Sequence, residues 1–165
     1  MTVFYLDTSA IVKRYRTEKG TEFIDRLFKE IETSEHRLAT SFLAVLEFVS
    51  AFRRLVKTKE ISEEIFTDSL ARFVADLERY FAISPVDDTT ISKSISLIMK
   101  HAVKTADSIH LASVIELREV LRKSEERLIF VGDDEELCTA ALNERTDVIN
   151  PRKDGAMQKL EEYLK

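Results

Sequence analysis

A chain of 165 residues, 44% hydrophobic and 33% charged, has the length and composition of one globular domain with a substantial core. Its net charge of −5, from 25 basic and 30 acidic residues, excludes a protein that coats nucleic acid by bulk positive charge, though not an enzyme with local basic patches. Three glycines and two prolines are few interruptions, which predicts mostly helix, short loops and no linker.

Val3-Phe4-Tyr5-Leu6 is an apolar run stopped abruptly by Asp7, the pattern of a buried strand. Residues 8–12 start a helix, and a longer one after Gly20 carries Phe23, Ile24, Leu27, Phe28 and Ile31 at helical spacing. Residues 37–40 read as a second strand. Residues 41–57 follow as a core helix with Phe42, Val45, Leu46, Val49, Phe52 and Val56 on one stripe. Ser62, with Glu64 nearby, starts a helix expected to turn Ile65, Leu70, Phe73, Val74 and Leu77 inward. A third strand at 81–83, helices at 88–102 and 105–123, and a strong fourth strand at 128–131 come next. Gly132 ends that strand; a helix at 134–143, a short strand at 148–149 and an amphipathic segment after Pro151 complete the chain.

Strands alternating with helices define an α/β fold in three layers, with a central parallel sheet of four to five strands covered on both faces. Residues 1–151 make up that domain, and 152–165 are a C-terminal amphipathic tail within it. In such sheets ligands bind beyond the carboxyl ends of the strands. Asp7 and the pair Asp133-Asp134 both fall at that edge.

The single cysteine, Cys138, has no partner for an intramolecular disulfide and fits a reducing compartment. No early apolar stretch has the length of a signal peptide or membrane span, so a cytoplasmic protein without membrane contact is expected. Asn143, Asn150 and Gln158 are the only side-chain amides, beside abundant Lys and Glu, a balance that predicts a thermophilic source.

Four acidic positions carry the chemistry. Asp7 reads equally as a helix N-cap and as a ligand. Glu47 lies in an otherwise almost wholly apolar helix, where a buried carboxylate requires a partner: Arg53, Arg54, a remote base, or a metal. Asp107 is a first-turn acid of its helix, complementing the dipole, and also a candidate ligand. His110, one turn further on, reads as a hydrogen-bonded core histidine and is left outside the catalytic set. Of the acids 133–136, Glu135 and Glu136 read as solvated dipole partners, while Asp133 or Asp134 remains a candidate. Four carboxylates brought together would repel one another. A hard divalent cation, Mg²⁺ or Mn²⁺, relieves this and suits phosphodiester hydrolysis by metal-activated water.

In this order and spacing, Leu6-Asp7-Thr8-Ser9-Ala10, the mid-helix Glu47, the segment from Thr105 to Ala112 and Phe130-Val131-Gly132-Asp133-Asp134 resemble the successive motifs of PIN domains. They are most similar to those of the VapC-type toxin ribonucleases of toxin–antitoxin pairs, and the likeness runs from residue 3 to about 151. It implies a Mg²⁺- or Mn²⁺-dependent endoribonuclease with Asp7, Glu47, Asp107 and Asp134 as catalytic and metal-binding acids. The family's fourth acid stands two positions after a Thr or Ser. Gly132 takes that hydroxyl's place here, which keeps Asp133 as an auxiliary candidate. Thr8 and Ser9 are expected to hydrogen-bond a water or phosphate beside the metal. The resemblance also implies a homodimer and a cognate antitoxin protein.

An RNA substrate calls for cations near the acids, and Lys13, Arg14, Arg53 and Arg54 are the candidates, weighed against ordinary surface ion pairs. Two other enzyme classes fit less well. An aspartyl-phosphate phosphatase needs a second Asp where Ser9 stands, and a phospho-receiver needs the pair Asp87-Asp88 in a different order. The non-enzymatic alternative is a catalytically silent PIN module that serves as a binding partner or scaffold.

Overall fold

The computed structural model describes all residues, 1–165. Strand β1 (Thr2–Leu6) is buried along its whole length, as a strand covered on both faces must be. Helices α1 (Thr8–Val12) and α2 (Thr21–Thr33) lead to β2 (Arg37–Ser41). Then come α3 (Phe42–Lys57), α4 (Glu63–Tyr80) and β3 (Phe81–Ser84). An antiparallel pair, α5 (Asp88–His101) and α6 (Thr105–Leu121), precedes β4 (Arg127–Val131). The chain closes with α7 (Glu135–Asn143), β5 (Asp147–Ile149) and α8 (Ala156–Tyr163).

All five strands are parallel, in the order β3-β2-β1-β4-β5. The chain winds one way from β1 and then the other, so the direction reverses between β1 and β4. Such a switch point leaves a crevice at the carboxyl ends of the two strands, because the connections leave on opposite faces. Asp7 ends β1, and Asp133-Asp134 follow β4 across that crevice.

Side-chain alternation along β1 divides the core in two. Phe4 and Leu6 join a cluster of 20 buried residues drawn largely from α1 to α4 and α8. Val3 and Tyr5 join a second cluster of 17, closed by α5, α6 and α7. The amphipathic end of the chain is helix α8, which buries Ala156 and Leu160 against the first cluster.

Helix α3 is rotated from the phase that its apolar residues suggested, and α4 keeps the expected phase but buries a narrower face. On α3 the buried residues are Ala44, Phe48 and Phe52, whereas Phe42 and Leu46 are 55% and 70% exposed. The phase is set by Phe48, which stacks on Phe52 and Phe73 with ring centroids 4.4 and 4.0 Å apart. On α4 the same contact turns Phe73 and Leu77 inward and leaves Ile65 and Val74 exposed. An apolar stripe wider than the buried face leaves the phase open, and ring packing settles it.

Candidate active site

Asp7 is the first residue past β1 and the N-cap of α1. Its Oδ1 accepts from the Ala10 amide at 2.8 Å and from Ser9 Oγ at 2.7 Å. The carboxylate is 4% exposed. Burial pushes its pKa up to about 6, and the nearby charge of Asp133 adds to the rise; His110, Ser9 and Ala10 oppose it. The other oxygen, Oδ2, lies against Gly132: a Cβ there would stand 2.6 Å from it. The glycine therefore makes room for the acid. A hydroxyl nevertheless lies between Asp7 and the segment after β4: Ser9 Oγ donates to Asp7 and accepts from the Asp133 amide at 3.0 Å.

Glu47 is half-buried on α3, two turns beyond the end of β2. Its partner is neither arginine but the remote base His110, whose Nε2 lies 2.8 Å from Oε2. Thr8 Oγ1 donates to the same oxygen. Burial pushes the Glu47 pKa up, but the His110 and Thr8 bonds outweigh it and hold the group below the usual carboxylate range. Both internal bonds fall on Oε2, which leaves Oε1 free.

Asp107 occupies the first turn of α6, and its buried Oδ2 has no hydrogen-bond partner. Burial, then the charge of Asp134, pushes its pKa up. Asp134 caps α7, with Oδ1 accepting from the Leu137 amide at 2.9 Å, while Oδ2 lies 3.8 Å from Lys104 Nζ. Asp7 is thus the N-cap that its position allowed, and Asp134 is a second one. In each, the cap occupies one oxygen and leaves the other.

Asp133 is placed differently. Its Oδ2 meets Lys13 Nζ at 2.6 Å and lies 3.9 Å from Arg152 Nη1. Burial raises its pKa, but the Lys13 and Ser9 bonds prevail and hold it below the usual range.

Several expected roles change. Lys13 does not present a cation to a polyanion: it is 1% exposed and clamped between Asp133 and Glu18, because α1 turns it into the protein behind Asp7. Thr8 and Ser9 donate their protons to Glu47 and Asp7, and so orient the acids. Arg14 pairs with Asp25 and lies over the Phe28 ring, and Arg53 pairs with Glu63. Arg54 stays exposed with only Ser50 Oγ as partner, close enough to Glu47 to favour its ionised form. Lys104 and Arg152, which the sequence did not single out, are the other cations beside the acids. Both lie in loops whose approach to the acids is set by topology alone.

No three Asp, Glu, His or Cys side chains stand close enough together to hold a metal ion as they are. The donor set nevertheless fits a hard cation. Asp7 and Asp134 each keep one oxygen free of the cap, Glu47 keeps Oε1, and Asp107 buries an oxygen with no partner. All-oxygen sites that use a few carboxylates and complete their shell with water are typical of Mg²⁺.

Fold and side chains together define a parallel α/β domain with an acidic crevice at its switch point. The family profile described as PIN domain matches residues 4–141, and the chain belongs to that family. No curated protein matches it in sequence. Among solved structures it is similar to PAE2754 of Pyrobaculum aerophilum, with 15% identity, a TM-score of 0.62 and coverage of 99% of this chain and 89% of that one. It is also similar to VapC20 of Mycobacterium tuberculosis, described as a sarcin–ricin loop cleaving toxin. There the identity is 14% and the TM-score 0.58, covering 83% of this chain and 94% of that one. VapBC2 of Rickettsia felis, solved bound to a promoter DNA fragment, matches at 11% identity and a TM-score of 0.61, with 90% and 98% covered. At these identities the likeness establishes the fold.

Proposed function

We propose that this protein is a VapC-like toxin: a Mg²⁺- or Mn²⁺-dependent endoribonuclease whose catalytic and metal-binding acids are Asp7, Glu47, Asp107 and Asp134. The observation that carries the reading is the buried Oδ2 of Asp107, which has no partner within the protein and is affected by the charges of Asp134 and Glu47. A fold does not leave a carboxylate oxygen buried and unpaired among other acids without cost, and a divalent cation removes that cost.

When bound, such an ion supplies positive charge at the scissile phosphate and a water of lowered pKa. The chain's own residues supply the rest. Ser9 and the Ala10 amide fix the Asp7 carboxylate, and Thr8 with His110 fix Glu47. Lys13 and Arg152 hold Asp133 in ion pairs, so Asp134 is the fourth acid. Arg54 and Lys104, on either side of the acids, are the phosphate contacts in this reading.

The RNA substrate and the antitoxin partner follow from the family and from the relatives, one of them described as a sarcin–ricin loop cleaving toxin and another as a toxin–antitoxin complex. Apolar side chains remain open for protein partners: Ile91, Ile95 and Met99 recur along one face of α5, and Phe42 and Leu46 project from α3. A second copy and an antitoxin would cover them. No helix is long and apolar enough to cross a membrane, and a cytoplasmic site of action is part of this reading.

The test is cleavage of a mixed RNA pool by the pure chain with Mg²⁺, with chelator, and with Asp7→Asn. Cleavage is expected only in the first case. Activity that survives both chelation and the substitution overturns the mechanism. A protein that neither cleaves nor binds Mn²⁺ is the silent module instead.

A further inference from the structure

Beneath the acids lies the buried His110, whose bond to Glu47 is one end of a longer run of contacts into the core. Asp107 and His110 stand three residues apart on α6, so they share one face of the helix. Asp107 opens the helix at the crevice, and His110 lies one turn deeper, 2% exposed. Its two ring nitrogens are both engaged: Nε2 meets Glu47 Oε2 at 2.8 Å, and Nδ1 meets the Tyr5 hydroxyl at 3.0 Å. Tyr5 is fully buried in the second core cluster, stacked on Phe130. Its ring is held on all sides, and burial keeps its hydroxyl protonated.

The chain of contacts therefore runs from the rigid centre of the sheet to the tip of a carboxylate on another helix. An ionised carboxylate only accepts hydrogen bonds, so the hydrogen between His110 and Glu47 is on Nε2. The Tyr5 contact at Nδ1 fixes the rotation of the ring that carries it. Thr8 Oγ1 binds the same Oε2 from the opposite segment and lies 3.4 Å from the same imidazole nitrogen. With Oε2 held twice, Glu47 has one orientation, and Oε1 is the oxygen turned away from this network.

We propose that Tyr5 and His110 are positioning residues for Glu47: the sheet-anchored phenol and the imidazole select which carboxylate oxygen faces the crevice, and so preorganise it for a divalent cation. The inference rests on the nuclease reading above. It adds that the acid's affinity for metal depends on a bond made inside the core. Partners that orient ligating carboxylates from behind are worth about 10- to 100-fold in metal affinity. A purely structural role for His110, as a satisfied core histidine, makes a different prediction: loss of stability with no change in the metal affinity of the folded chain.

The experiment titrates the full chain with Mn²⁺ by calorimetry, for the native sequence and for His110→Leu, His110→Gln and Tyr5→Phe, and records the Glu47 carboxyl ¹³C signal of each metal-free protein. His110→Leu keeps the bulk and removes the donor; it is expected to weaken Mn²⁺ binding by about tenfold or more and to move the Glu47 signal. His110→Gln places an amide donor near the Nε2 position and should restore most of both. Tyr5→Phe, which frees the imidazole ring, should give a smaller loss of the same kind. If His110→Leu fails to fold, the Tyr5→Phe and His110→Gln results decide. Native affinity and an unmoved Glu47 signal in the folded variants overturn the proposal, as does a His110→Gln protein no better than His110→Leu. A native chain that binds no Mn²⁺ defeats the nuclease reading instead, and the Glu47 signal then still decides whether His110 positions it.

Discussion

Asp7 combines three demands on one side chain. It caps α1, it lies against Gly132 with no space between, and burial pushes its pKa up to about 6. The raised value fixes a sign. Between the ordinary carboxylate range and pH 6 the folded protein holds a proton that the unfolded chain has released. The stability due to Asp7 is therefore present at low pH and lost as pH rises through 6. Above that pH the ionised group costs the metal-free fold on the order of 2–3 kcal/mol. Asp7→Asn keeps the cap, since Asn and Asp cap equally well. It is expected to raise metal-free stability by about that amount at pH 7.5, to have little effect near pH 4, and to abolish RNA cleavage. Urea unfolding at the two pH values checks this.

Gly132 makes the converse point. A hydroxyl residue there matches the family pattern, yet in this chain its Cβ would strike the Asp7 carboxylate. Gly132→Ser is expected to destabilise the protein by about 1–3 kcal/mol, as overpacking does, and to weaken Mn²⁺ binding. Thermal unfolding together with calorimetry would show it; a neutral or activating effect would mean that the Asp7 carboxylate yields room for a side chain at position 132.

At the scale of elements, the site is assembled from helix starts. α1, α6 and α7 all begin at the carboxyl edge of the sheet, and each brings an acid to its cap or first turn. An acid there is favourable for the helix before any metal binds, since it meets unpaired amides and the positive end of the dipole. Cap and ligand can be separated at Asp134. Asp134→Asn retains the bond to the Leu137 amide and should leave the melting temperature nearly unchanged while lowering Mn²⁺ affinity. Asp134→Ala should lose both, with about 1 kcal/mol of stability. Equal metal affinity in the native and Asn proteins would remove Asp134 from the ligand set.

The starts of α1 and α7 were legible in the sequence because an Asp followed by an apolar period marks each, whereas α6 starts after Lys104 with no capping side chain. The inward faces of α3 and α4 were less legible. Their apolar residues spread over more of each helix than the core covers, so on α3 the choice between Phe48 and Leu46 fell to the stacking of Phe48 on Phe73.

At the scale of the whole molecule, several charges join networks instead of isolated pairs. Lys13 joins Glu18 and Asp133, which Arg152 also approaches; Lys93 lies between Glu116 and Glu119; Lys100 and His101 share Glu144. Networks of this kind lose less to desolvation as temperature rises. With so few amides in the chain, a melting temperature above the roughly 45–65 °C of mesophilic domains is expected in differential scanning calorimetry. A midpoint within that range would contradict the thermophilic reading.

The sequence by itself determined the alternation of strands and helices, the parallel sheet, and the placement of Asp7 and Asp133-Asp134 at its carboxyl edge. Periodicity and capping are local, so they can be read along the chain. Only the tertiary structure decided what each polar group meets. Glu47 is held by His110, which sequence logic set aside as a core residue; it is a core residue, and it also touches the acid. Lys13, one of the expected phosphate contacts, is buried against Asp133. Partners separated by 63 and 120 residues come together only through the order in which strands are laid in the sheet, and no local pattern records that order.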